Sequence, residues 1–217
     1  MRTNSDSSTT TPTLTAVAVT SIGSVLGVAV VGLVLGAVTS WAQSFLPDAW
    51  APLANSPSGW AAMTALVVMT FRPTLPWGAV FGTVGFVFLL LGYTLASELR
   101  GLAYDPMLWG AIALVTGPFI GAAAAGVVSA RSLPVALGSG VLAGVLVADG
   151  IYGLTVVADT TSPVYWTTVL VLGLVLLLAT PRRLRAVAPI AVLGVTFLAA
   201  TVTLSVGSAW LNGLNGA

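Results

Sequence analysis

Apolar residues fill seven long blocks of this chain, and polar residues are confined to the short stretches between them. The blocks run over about 14–41, 58–71, 77–97, 108–130, 135–157, 164–180 and 186–209. None shows the alternating or one-faced pattern of an element half-exposed to water. Helices that are apolar all round are solvated by lipid or by one another. A crossing of the ~30 Å hydrocarbon core takes about 20 such residues. The first block, 28 residues long, reaches ~42 Å as a helix, so a tilt or an interfacial end is expected. It is too long for the apolar region of a cleaved signal peptide, and Arg2 is its only basic flank. The second block is the shortest.

Pro57, Pro76, Pro106, Pro134, Pro163 and Pro181 each stand just before a block. Proline is tolerated at a helix entry, where the first N–H groups have no helical acceptor. The pattern predicts an all-α, polytopic transmembrane helix bundle of seven spans in one domain, 14–210. A Ser/Thr-rich tail at 1–13 reads as disordered, and a short C-terminal tail covers 211–217. Arginine sets the orientation. Alternate segments hold Arg2, Arg72, Arg131, Arg182, Arg183 and Arg185, while the others hold only Arg100 with Asp48, Glu98, Asp105 and Asp159. The N-terminus is therefore expected inside and the C-terminus outside.

Composition narrows the chemistry. Of 217 residues, 57% are hydrophobic and 6% charged, against about 25% charged in soluble domains. Lipid is the expected solvent. A net charge of +1 gives no reason to expect nucleic acid. The chain has no Cys, His or Lys. That removes disulfides, thiolate and imidazole metal ligation, imidazole catalysis, the P-loop lysine and Schiff bases. No two acids share a span at helical spacing, so the expectation is a non-enzyme with no cofactor and no metal.

Small residues mark close helix contacts in lipid. Gly23/Gly27 and Gly32/Gly36 lie in the first span, Gly78/Gly82 in the third, Gly117/Gly121 in the fourth and Gly140/Gly144 in the fifth. These four spans are expected to form the tight bundle, through contacts within the chain or on a dimer face. The leucine-rich sixth span is expected to face lipid. Pro118, mid-way along the fourth span, cannot donate to the Leu114 carbonyl and predicts a kink, either plain or lining a binding site.

Asp149 is the one acid inside a span. A carboxylate there costs about 2.5–3.5 kcal/mol on insertion scales unless paired, protonated or facing a cavity. It reads either as a buried acid hydrogen-bonded to a neighbouring Ser, Thr, Tyr or Trp that fixes helix register, or as a ligand contact or titrating group. Arg100 has Glu98 and Asp105 as its expected partners. The aromatics are lopsided, with Trp41, Trp50, Trp60, Trp109, Trp166, Trp210, Tyr93, Tyr104, Tyr152 and Tyr165 all in the outer half. Apolar walls with a few convergent polar groups describe a small-molecule pocket. Asp149, Tyr152, Asn55, Trp60, Tyr93 and Trp109 are the candidate ligand-binding residues.

The segment Leu53-Ala-Asn55-Ser56-Pro57-Ser-Gly-Trp60, with Gly92-Tyr93, Arg100-Gly101, Trp109, Gly117-Pro118 and Gly121, resembles an uncharacterised family of actinobacterial multi-pass membrane proteins. That resemblance covers about 50–155 and implies no activity. The long loop at 42–57 and the outer aromatics are also similar to the substrate-binding S components of energy-coupling-factor vitamin transporters. Those have six spans and an Ala-x-x-x-Ala motif in the first, both of which this chain lacks. The expectation is a small-solute binding or transport component of a bacterial cell membrane, with the bilayer, a solute and partner membrane subunits as its contacts. The alternative is a structural or assembly subunit with no ligand.

Overall fold

A computed structural model describes the backbone of residues 14–215 and the side chains of 22–213. The tail expected at 1–13 and the last residues of the C-terminal one lie outside the described residues. The described chain forms helices α1 (Leu14–Ala42), α2 (Pro57–Phe71), α3 (Leu75–Leu99), α4 (Met107–Val127), α5 (Ser132–Thr155), α6 (Pro163–Ala179) and α7 (Val187–Asn215). A 3₁₀ turn at Ala51–Ala54 precedes α2, and another at Thr180–Arg183 follows α6. Six of these helices are long and apolar enough to cross a membrane, counting α6 with its 3₁₀ extension. The shorter apolar helix is α2, whose 15 residues rise about 22 Å.

The helix entries follow the prolines. Pro57 and Pro163 open α2 and α6 at their first position, and Ser56 and Ser162 stand before them as N-caps. The exit of α2 is a left-handed residue, Arg72 at φ 45°, whose N–H bonds to the Met69 carbonyl at 3.2 Å. Non-glycine residues rarely adopt that conformation. It stops the helix and frees Pro73 and Thr74 to lead into α3.

The bundle is two leaves joined at the α4–α5 seam. α1 packs on α3 and α3 on α4; α5 packs on both α6 and α7. α2 is wedged against α1, α3, α4 and α5, and the central apolar cluster forms around it from Val28, Ala65, Val68, Phe81, Ala124 and Leu142. The glycine pattern had not singled out α2 for this place. α5 is the most enclosed of the long helices, with two-thirds of its residues buried, while α7 is the least, with 6%, and keeps one face packed on α5. Val171, Leu172, Val175 and Leu178 of α6 are exposed, as a lipid-facing helix requires. Pro118 lies inside α4, which continues past it to Val127.

Glycine closes the seams within the chain. A Cβ on Gly36 would stand 1.8 Å from the Leu89 carbonyl oxygen, and one on Gly92 2.0 Å from that of Leu33. Across α3 and α4, a Cβ on Gly82 would meet the Gly117 oxygen at 2.2 Å, and one on Gly121 the Gly78 oxygen at 2.0 Å. Gly140 and Gly144 press on Thr196 and Phe197 of α7, whereas Gly23 faces open space. Backbones this close gain dispersion contacts that lipid chains cannot supply. Gly36→Ala and Gly82→Ala are therefore expected to destabilise the bundle by about 1–3 kcal/mol each. Gly194→Ala, with nothing near its Cβ position, should be neutral or stabilise by up to about 1 kcal/mol. Thermal unfolding in a mild detergent checks the three together.

Candidate functional site

The site grows from the start of α2. A helix leaves its first N–H groups without internal acceptors, and here that end is buried. Each donor is accounted for. Pro57 has no N–H. Ser58 N–H donates to Oδ2 of Asp149 at 2.9 Å. Gly59 N–H donates to the Ser56 hydroxyl at 3.0 Å, and Trp60 N–H to the Ser56 carbonyl at 3.2 Å. Asp149 is thus an N-cap supplied from another helix, placed where both the bare amides and the helix dipole favour a carboxylate. The hydroxyls of Ser58 and Ser56 also face it.

A second shell of hydroxyls locks this cap to α6. Tyr165 Oη lies 2.7 Å from Ser56 Oγ and 2.8 Å from Ser58 Oγ. Asp149, Ser56, Ser58 and Tyr165 are each no more than 3% exposed. The ring of Tyr165 stacks edge-on with Trp166 at 5.0 Å and Trp50 at 6.5 Å. Asp149 is six residues before the end of α5, about 9 Å along its axis. The end of the 43–56 segment therefore reaches into the bundle, with Pro52, Ala54 and Ser56 buried, while Ser44, Phe45, Pro47, Asp48 and Trp50 stay exposed. Gly59 is required under the dip, because a Cβ there would lie 2.1 Å from the Leu53 oxygen.

The other flank of the same segment is an aromatic and amide cluster. Gln43 Nε2 donates to Asn55 Oδ1 at 2.5 Å and to Tyr93 Oη at 2.8 Å. Trp60 Nε1 donates to the Ala54 carbonyl at 2.8 Å. Its ring stands 5.3 Å from Tyr93 and 6.2 Å from Phe86, and Tyr93 meets Tyr104 at 4.9 Å. Tyr104, in the α3–α4 loop, has its phenol pushed up to about 12 by burial first, then by Tyr93 and Asp105.

Three of the six candidate residues, Asn55, Trp60 and Tyr93, therefore meet in one cluster. Asp149 sits on the opposite flank of the dipping segment. Tyr152 is elsewhere, bonded to Asn212 of α7 at 3.3 Å, and Trp109 is 38% exposed on the first turn of α4. A Ser is among the partner types expected for a buried Asp149, but no pattern in the chain singles out Ser58, Tyr165 or Gln43 by position. The Ser56-Pro57-Ser58 run, a cap residue before an N1 proline, is the signal that could have found the first. Open grooves of about 490 Å³ on α6 and 430 Å³ on α1 are lined by none of the candidates.

Arg100 departs from expectation. Its guanidinium donates to the Ser40 carbonyl, the Ser40 hydroxyl and the Ser44 hydroxyl, and lies 5.5 Å from the Trp41 ring centre. The backbone amides of 43–46 already serve the carbonyls of Thr39, Trp41 and Ala42. Arg100 fills the remaining place at the end of α1, where a cation also suits the helix dipole, rather than pairing with Glu98 or Asp105.

A family model described as a family of unknown function, DUF6518, matches residues 15–213. The chain belongs to that family. No curated protein and no solved structure matched it. The matched range spans the residues of both the Asp149 cap and the aromatic cluster, and the apolar helices of the chain make it a membrane protein.

The cap makes a specific energetic statement. Asp149→Leu strands a buried Ser58 N–H and is expected to cost about 1–3 kcal/mol, whereas Asp149→Asn keeps an acceptor oxygen and should cost less than half as much. Equilibrium unfolding of the two variants in one detergent compares them directly.

Proposed function

We propose that this protein is a small-solute binding or transport component of a bacterial plasma membrane, and that the 43–57 segment covers its solute site from outside. The observation that carries the reading is the dipping segment itself. Non-helical backbone at membrane depth is tolerated where protein buries it or where it lines a cavity, and transporters use such interrupted helices around their binding sites. α2 begins about 9 Å below the end of α5 and rises about 22 Å. The sum matches the ~30 Å hydrocarbon core, so the 3₁₀ turn and α2 together make the second of seven crossings. In this reading the N-terminus is inside and the aromatic end outside. Asn55, Trp60 and Tyr93 supply stacking faces and amide hydrogen bonds to the solute, and Asp149 sits beneath the cover. Trp109 and Tyr152, which face away from this cluster, have no part in it.

The second reading is a structural or assembly subunit. It is favoured by the complete use of Asp149 as a helix cap, which leaves that carboxylate occupied by the fold. α7, packed on α5 and little else, would then be the helix that meets a partner.

Topology is checked first, on a chain with no native cysteine. Asp48→Cys should react with a membrane-impermeant maleimide on intact cells, and Arg185→Cys only after permeabilisation. For function, thermal shift of the purified protein against a panel of water-soluble metabolites should find a stabilising solute. Asn55→Ala should weaken that stabilisation by about tenfold in apparent affinity, the worth of one hydrogen bond to a ligand. No stabilisation by any metabolite, with stoichiometric co-purification of other membrane subunits, would select the second reading.

A further inference from the structure

The end of the bundle opposite the aromatics holds Arg72, Arg131, Arg182, Arg183 and Arg185. Arg183 is committed to the fold. Its guanidinium donates to the Val127 carbonyl at 2.9 Å and the Ser129 carbonyl at 3.2 Å, neutralising the C-terminus of α4. These bonds tie the 180–186 loop onto the α4–α5 turn. Ser129 Oγ in turn accepts from the Arg131 N–H at 3.1 Å. Leu184 anchors the same loop from below, buried with Val135, Ala136 and Leu193. Arg131, Arg182 and Arg185 are thereby gathered on one rim, all three exposed.

Among the described residues, the rim has no counter-charge. Segments 128–131 and 180–186 contain no acid. The described acids are Asp48, Glu98, Asp105 and Asp159 in loops of the opposite end and Asp149 inside α5. Guanidinium forks match phosphate oxygens two at a time. Just beyond the rim the surface turns apolar, with Leu133 50%, Leu178 71% and Val187 82% exposed. A ligand that fits both zones carries an anionic phosphate head above hydrocarbon chains.

We propose that Arg131, Arg182 and Arg185 form a binding site for the headgroup of an anionic phospholipid. The lipid's acyl chains lie along the exposed apolar residues of α5, α6 and α7 below the rim. A soluble phosphate satisfies the arginines alone and leaves that apolar zone unused.

The test is native mass spectrometry and thermal unfolding of the full chain in phosphatidylcholine bicelles, with and without phosphatidylglycerol or cardiolipin. The wild type is expected to retain the anionic lipid, to unfold at a higher temperature with it, and to lose it in high salt. R131Q/R182Q/R185Q should weaken retention on the order of a hundredfold. Its unfolding in pure phosphatidylcholine should stay near that of the wild type, since Arg183 is untouched. Should the triple variant fail to fold, R182Q/R185Q takes its place. Equal retention by wild type and variant, or salt-insensitive retention, would overturn the proposal. So would equal stabilisation by millimolar inorganic phosphate, which would make the rim a site for free anions.

Discussion

Inside hydrocarbon a peptide group finds no water, so every backbone donor at depth must be met by the protein. The start of α2 is where this chain faces that demand most sharply. Ser56 answers it locally, and Asp149 answers it from α5 across the bundle. The placement of α2 and of the turn before it follows from that bond. It fixes α2 against α5 at one height and makes α2 the central post. It also draws the turn at 52–56 in between the helices and brings Tyr165 over the top as a lid of hydroxyls. A buried carboxyl, costly on its own, becomes tolerable because a bare helix end needs it as much as it needs the helix.

The same economy governs the few cations. Arg100 and Arg183 spend their guanidiniums on the carbonyl ends of α1 and α4. Helix C-termini in lipid carry orphan acceptors and partial negative charge, so an arginine there does two jobs at once. Hydroxyl side chains behave alike: Thr39, Thr83, Thr94, Thr116 and Thr201 each return a hydrogen bond to the carbonyl four residues back. With polar groups turned inward, close approach is left to glycine, which sets the α1–α3 and α3–α4 seams.

Much of this was legible in the chain. Pro57, Pro76, Pro106, Pro134 and Pro163 mark helix entries to within two residues, whereas Pro181 lies in the turn that extends α6; most of the glycine pairs mark the seams, because both residue types act through the local backbone. Asp149 stood out because a lone acid in an apolar run has few explanations. Its partners did not. Ser58 is 91 residues away, and nothing in hydropathy distinguishes a serine that caps a helix from one that faces a loop. The short second block looked like a weak span, and α2 is indeed too short at 15 residues to cross by itself; hydropathy could not show that it would be packed at the centre of the bundle. Asn55, Trp60 and Tyr93 shared a half of the bundle and met. Tyr152 and Trp109 shared that half too, but their helices turn them to other faces, and only packing decides which way a helix is rotated.

Order of synthesis gives the cap a further meaning. Ninety-one residues separate Ser58 from its carboxyl partner. At roughly 5–20 residues per second, a ribosome leaves the second helix without that partner for about 5–20 seconds. During that interval its amide end has only Ser56 to shield it and no finished neighbour to hold it at depth. The seat of the second helix is therefore complete only once the fifth has been made. Biogenesis of this bundle is in that sense post-dated: an early segment is seated by a late one.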